Sequence, residues 1–450
     1  MRKLGALLAA TTACTLLLAG CGGEPEERGE PAAPSSSTAG GASAGAPALA
    51  LGKPTSVKVA VGAGVNGAPF DVARNVTMPA GWGASVYARV EKARFLAVTP
   101  SGDLLVSQPA QGKVRVVRAG KVTEFASGLN RPHDMVFAEV GGATWLFVAE
   151  ADKVVRYPYQ SGDLKAHDGQ VVVDGLPDTS TPELRGNYAH VLKNIAVKDG
   201  KLYVSIASTC NACVEDTVSD PQRAAIYTFD AAGKNAGRHL LARGIRNAEG
   251  LAFRPGTDEL WAVVNNRDNT LVPDDRDVDG DGKSDKGKRM SQFVDQYPVE
   301  ELIKVRDGGF YGWPFCNPNS DNGTHNLPFH RDYELNRDGQ RADCTKADPI
   351  DLGLPAHTAP LGLTFVPALE GAVVPLHGSW NSTKPVGYKV VFVPWTTGGP
   401  GDPVDLLSGL VDTKAGKPWL RPVDAALDAD GSILVSDDFA GAILRLTPPK

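Results

Sequence analysis

The stretch ARFLAVTPSGDLLVSQPAQGKVRVVR, residues 93–118, reads as short strands joined by turns. Leu104-Leu105-Val106 follows Ser101-Gly102-Asp103, a turn of hairpin type leading into an apolar run buried with period 2. Five further stretches repeat the pattern of turn, apolar strand, Gly or Asp turn and second strand. They begin at Arg131, His190, Arg246, Ala359 and Arg421. A single small sheet of this kind cannot cover both of its faces, so the copies must pack around a common axis. Six copies over about 400 residues predict an all-β fold, a six-bladed β-propeller. The last copy ends on its third strand near Leu446, and a strand around Ala84–Tyr87 is expected to supply the fourth and close the ring. Spacing becomes irregular between about 266 and 349, which reads as one long insertion between the fourth and fifth copies, and long loops on rigid scaffolds commonly carry function.

Composition sets the outer limits. Of 450 residues, 83 are glycine or proline and 42% are hydrophobic, which fits a turn-rich globular chain and excludes disordered, collagenous or polytopic membrane classes. The net charge of −6 argues against nucleic acid as a partner, since neutralising phosphates requires a basic face. Met1-Arg2-Lys3, an apolar run to Leu18 and Leu18-Ala19-Gly20-Cys21 form a signal-peptide pattern over residues 1–20. Its end resembles the bacterial lipobox, which would make Cys21 the lipidated N-terminus of the exported chain and anchor it to a membrane of the cell envelope. Residues 21–50 then form a tether: 22 of the 29 residues from Gly22 to Ala50 are Gly, Ala, Pro or Ser, too little apolar surface to fold. The propeller is expected over 51–450. Cys210, Cys213, Cys316 and Cys344 remain, an even set that reads as two disulfides in an exported protein. Three pairings are possible; we expect Cys210 with Cys213 and Cys316 with Cys344. A zinc ribbon or redox CxxC fits less well, because neither a second close CxxC nor a βαβ pattern is present.

Several motifs stand in a specific order: NYAHVLKNIAV around His190, SIASTCNACVED, GIRNAEGL at 244–251, GFYGWP at 309–314, HGSWN at 377–381 and RPVD at 421–424. Together they resemble the soluble pyrroloquinoline quinone (PQQ)-dependent sugar dehydrogenases, most closely a sorbosone-dehydrogenase-like branch. The resemblance implies oxidation of an aldose or sugar-derived aldehyde to lactone or acid, and transfer of electrons to a respiratory acceptor at the membrane. It assigns His190 as the base that takes the substrate hydroxyl proton, and Arg246 as the cation that polarises the accepting carbonyl. It places Arg246, Asn247, His357 and Arg421 against the quinone, and His133 along the channel where sugar enters. Two positions depart from the pattern. Ser208 stands where glucose-oxidising members orient the base with an aspartate, and Asn381 stands where they use a lysine, leaving Lys384 as the nearest substitute.

The same resemblance implies calcium against the quinone, held by backbone carbonyls at Asn266 and Arg267. A separate signal is Asp277, Asp279, Asp281 and Asp285 with Gly282 at the sixth position, the spacing of a calcium loop. Its twelfth position, normally a bidentate glutamate, is Lys288. Two other functions are weighed: a calcium-dependent lactonase, for which Glu91 could begin a carboxylate set at the axis, and a propeller that binds without catalysis.

Overall fold

The structure is a computed structural model describing residues 51–412 and 414–449. The signal peptide, Cys21 and the tether lie outside the described residues. Six antiparallel sheets form the blades. Blade 1 runs through Leu96–Val98, Leu104–Gln108, Lys113–Arg118 and Lys121–Ser127, and blade 2 through Met135–Val140, Ala143–Ala149, Val154–Pro158 and Gln170–Val173. Blade 3 comprises Asn194–Lys198, Lys201–Ile206, Ala225–Asp230 and His239–Arg243. Blade 4 comprises Ala248–Phe253, Leu260–Val264, Glu300–Lys304 and Ile350–Leu354, extended by His325–Leu327. Blade 5 is built on Thr364–Val366, Gly371–Leu376, Lys389–Thr396 and Val404–Leu407.

Closure occurs in blade 6. Pro422–Leu427, Ile433–Asp437 and Ala442–Thr447 take their fourth strand from Gly83–Arg89, which runs antiparallel to the last strand with Gly83 opposite Thr447 and Val86 opposite Leu444. Joining the two ends of the chain in one sheet removes the open seam a linear array would leave.

The period-2 alternation explains the ring. In the deciding stretch, Leu104 and Val106 pack on Ala426, Leu434 and Ile443 of blade 6, while Leu105 points the other way onto Met135, Leu146 and Val148 of blade 2. The same division recurs around the axis. Blades 2 and 3 meet through Phe147, Val154, Ile195 and Val204, blades 3 and 4 through Ile226, Leu251 and Ala262, blades 4 and 5 through Val263, Leu352 and Val374, and blades 5 and 6 through Val390, Phe392, Val435 and Leu444. Each buried aliphatic side chain contributes about 1.5–3 kcal/mol, so the six inter-blade cores, rather than any one sheet, stabilise the fold.

The segment read from sequence as one insertion is two. Residues 265–299 and 305–349 flank Glu300–Lys304, which is the third strand of blade 4. Disulfides Cys210–Cys213 and Cys316–Cys344 form as expected; the second staples the outer excursion across a sequence separation of 28.

Candidate active site

In an up-and-down blade, the start of the first strand and the end of the second lie at the same end of the sheet. His190, Arg246, Asn247, His357 and Arg421 precede first strands, whereas Ser208, the 265–268 segment and His377–Asn381 follow second strands. Topology alone therefore gathers the predicted residues on one rim, although they are up to 231 positions apart in sequence.

His190 is half-buried beside the end of blade 3. Its Nδ1 lies 2.8 Å from the carbonyl oxygen of Ser208 and 3.0 Å from that residue's Oγ. The carbonyl can only accept, and the Ser208 hydroxyl spends its own hydrogen on the carbonyl of Cys210 at 2.9 Å. Both partners are acceptors, so Nδ1 carries the proton and Nε2 keeps a free lone pair. Burial, and then the nearby Arg246 charge, push the imidazole down to about 4. The serine that departs from the family pattern thus fixes the tautomer and leaves a neutral base at pH 7.

Arg246 is 5% exposed. Its Nε donates to the carbonyl of Asn211 and one Nη to the Asn211 Oδ1, both at 3.2 Å; the other Nη donates to the carbonyl of Asn265, also at 3.2 Å. Asp268 Oδ2 lies 3.3 Å away. The backbone N–H of Ser208 donates to the Arg246 carbonyl at 2.7 Å, which couples the partner of His190 to the segment leading into the first strand of blade 4. Arg246 is held on several sides before any ligand arrives, as preorganised electrostatic stabilisation requires.

Asn247 donates from Nδ2 to Glu249 at 3.1 Å. Burial raises the Glu249 carboxyl, but His133, Arg94 and Asn247 outweigh it and hold the group at about 2. His133 is wholly buried, 3.1 Å from Glu249 and packed against Phe95 with ring centroids 4.3 Å apart. This corrects the expectation that it lines the way in for sugar. Its ring belongs to buried packing against Glu249 and Phe95.

The other three expected quinone contacts differ among themselves. Arg421 donates through Nε and one Nη to the carbonyls of His377 and Gly378, both at 3.3 Å, and its second Nη has no partner among the described residues. His357 is buried, with Nε2 2.6 Å from the Val294 carbonyl and Nδ1 3.4 Å from Asp268. Burial lowers its pKa, but Asp268 and the Val294 carbonyl outweigh this and raise it above the ordinary value. Both ring nitrogens are committed, so the imidazole braces Asp268 rather than presenting a free nitrogen. Lys384 is exposed and pairs with nothing among the described residues. Asn381 reaches the rim instead, with Nδ2 3.5 Å from Asp268 Oδ1.

The two calcium expectations fall in different surroundings. Asn266 is buried: its N–H donates to Glu300 at 2.6 Å, and its side-chain amide donates to Glu301 at 2.7 Å and to the Val299 carbonyl at 3.1 Å. Arg267 forms ion pairs with Asp332 and Glu334. Their side chains are thereby occupied, while no hydrogen bond from the described residues reaches either carbonyl oxygen. Two unsatisfied carbonyls on a fixed backbone suit a hard cation. In the insertion, one carboxylate oxygen from each of Asp277, Asp279 and Asp285 lies within 4.8 Å of the others. Asp281 turns away to Lys283 at 3.3 Å, and Lys288, at the twelfth position, binds Asp285 at 2.9 Å. Glu91 is exposed, and among the described residues the 277–279–285 set is the one convergent group of three or more His, Cys, Asp or Glu ligands, with Glu91 outside it.

The rim thus carries a tautomer-fixed imidazole near a braced guanidinium, an arrangement that can accept a proton close to a fixed positive charge. The chain belongs to the TrAA12-like family, whose sequence model matches residues 76–448. The PQQ-dependent pyranose dehydrogenase of Coprinopsis cinerea is 24% identical over 341 residues, 66% of this chain and 44% of that protein; this chain thus spans less than half of that relative's length. The holo form of that enzyme's PQQ domain superposes with a TM-score of 0.66 at 21% identity, covering 83% of this chain and 97% of the domain. The calcium structure of a carbohydrate-active family AA12 enzyme from Trichoderma reesei gives a TM-score of 0.66 at 20% identity over 83% of this chain and 96% of that one. These likenesses establish the propeller.

Sequence reasoning missed Asn211 and the bracing role of Asp268. The only trace of Asn211 is its place between the two cysteines of Cys-Asn-Ala-Cys.

Proposed function

We propose that this chain oxidises an aldose or a sugar-derived aldehyde to the lactone or acid, with PQQ and calcium at the rim of blades 3 and 4. The observation that carries the reading is the His190 tautomer: Nδ1 is committed to Ser208, and Nε2 is free and unprotonated beside Arg246. Bound there, PQQ would supply a two-electron oxidant. His190 Nε2 takes the hydroxyl proton of the substrate as general base. Arg246 sets a fixed cation where negative charge grows during the oxidation, an interaction stronger in the transition state than before it. The free Nη of Arg421 and the amide of Asn247 are suited to the carboxylates and polar edge of the quinone, and the carbonyls of Asn266 and Arg267 to calcium. The 277–285 loop would take a second, structural calcium through Asp277, Asp279 and Asp285.

Lipidation at Cys21 would hold the domain at a membrane of the cell envelope, within reach of a respiratory electron acceptor. A sorbosone-like aldehyde is the narrower form of this proposal. The test is product analysis: the chain supplied with PQQ, calcium, an artificial dye and a panel of aldoses and sugar-derived aldehydes should yield, for each two-electron equivalent of dye reduced, a lactone two hydrogens lighter than its sugar or an acid equal to the substrate less two hydrogens plus one water. Consumption of a lactone without dye reduction would favour the hydrolytic alternative and overturn the reading.

A further inference from the structure

We infer that Asn211 is a positioning residue that locks Arg246 and the 266–268 backbone into one unit; its catalytic consequence rests on the dehydrogenase reading above. Asn211 Oδ1 accepts the Asp268 N–H at 2.8 Å, and its Nδ2 donates to the Asp268 carbonyl at 2.9 Å. A carboxamide is the side chain that offers a donor and an acceptor side by side, so it can mate with both backbone groups of one residue as a neighbouring strand would. The same Oδ1 also accepts from Arg246 at 3.2 Å, and the Asn211 carbonyl accepts both Arg246 Nε at 3.2 Å and Trp313 Nε1 at 3.1 Å. One residue therefore fixes the guanidinium at two atoms and the strand end carrying the two free carbonyls at two more.

What fixes Asn211 is equally local. It sits inside the Cys210–Cys213 disulfide, and the carbonyl of Cys210 accepts from Ser208 Oγ, the group that sets the His190 tautomer. The loop thus joins base, cation and carbonyls across blades 3 and 4 through a covalently closed turn.

The test uses the full chain and two variants. In Asn211→Ala the Asp268 amide loses its hydrogen-bond acceptor, and its hydrogen exchange, followed by mass spectrometry on the chain without added quinone, should speed up by about tenfold or more. Reconstituted with PQQ and calcium, the variant should lose about 10–100-fold in kcat while the sugar KM stays within about twofold, because the group displaced acts on the transition state. Asn211→Asp keeps acceptors for Arg246 and the Asp268 N–H but loses the donor, so it should recover part of kcat. Unchanged exchange at 266–268 in Asn211→Ala would overturn the lock; faster exchange with kcat intact would overturn its catalytic consequence. Were the parent chain to oxidise no sugar, the exchange measurement would still decide the lock, so the two readings fail separately.

Discussion

The rim at Asn266 and Arg267 and the loop 277–285 are both read from sequence as calcium sites, and they are built in opposite ways. At the rim, side chains are spent on each other and on the backbone: Asn266 on Glu300 and Glu301, Arg246 on Asn211 and Asp268. Two main-chain carbonyls are left over. In the loop, three carboxylates converge, yet Asp277 also caps the N–H groups of Gly280 at 2.7 Å and Gly282 at 2.7 Å, and Lys288 already compensates Asp285. The rim is rigid because its polar groups are buried and paired; in the loop Asp277 and Asp279 are exposed and only Asp285 of the three is buried. Fixed charges of the kind the proposed chemistry needs are found in the first, and a stabilising ion suits the second.

The largest effect should come from the rim. His190→Gln removes the free imidazole nitrogen, and sugar-dependent dye reduction should fall by about 10²–10⁴-fold with an unchanged circular dichroism spectrum. If the loss stays below about threefold, the rim is no more catalytic than the loop.

Next comes Arg246→Gln, expected to lower kcat by about 10²-fold and to move the acid limb of the pH profile. The base works when neutral, so in the parent chain activity should persist until pH falls toward about 4, where His190 protonates. Burial is the larger cause of that depressed value and Arg246 the second, so the limb should shift toward neutrality in the variant without reaching the ordinary histidine value. The sign for stability follows. Between about pH 6.5 and 4 the unfolded chain binds a proton at this residue that the folded chain does not, so the contribution of His190 is present above that window and lost as pH falls through it.

The paired substitution Asp277→Asn with Asp279→Asn probes the loop. It should abolish the stabilisation that calcium gives there, about 1.4 kcal/mol at ten times the Kd, read as a calcium-dependent shift in Tm, and leave dye reduction within about twofold. A collapse of activity would erase the distinction between the two regions. Smallest of all, Lys384→Ala should alter stability by less than about 0.5 kcal/mol and quinone affinity by less than about threefold in a titration, because the side chain is exposed and pairs with nothing among the described residues.

Much of the fold was legible. Period-2 runs such as Leu104-Leu105-Val106 carry their two-faced burial in the sequence, and the unpaired last copy foretold the closing strand at Gly83–Arg89. The strand Glu300–Lys304 was hidden because 35 residues separate it from its neighbour Leu260–Val264, and hairpin spacing was the signal in use. Within the site, His190 and Arg246 were legible as motif residues, and the structure brings them together. The bracing was not: Asn211 and Asp268 meet each other and Arg246 across two blades, through side-chain and backbone contacts that impose no spacing pattern. Burial at single positions was equally silent, so His133 read as a channel residue although its ring is fully enclosed, and His357 read as a cofactor contact although Asp268 and Val294 hold both of its nitrogens.

The most direct test of the central claim is a titration of the purified chain with PQQ in millimolar calcium, following quinone absorbance together with dye reduction across a panel of aldoses. The account predicts saturable uptake of PQQ and dye reduction that depends on both the quinone and a sugar. Absence of uptake with and without calcium, at a rim whose His190 and Arg246 are intact, would contradict it.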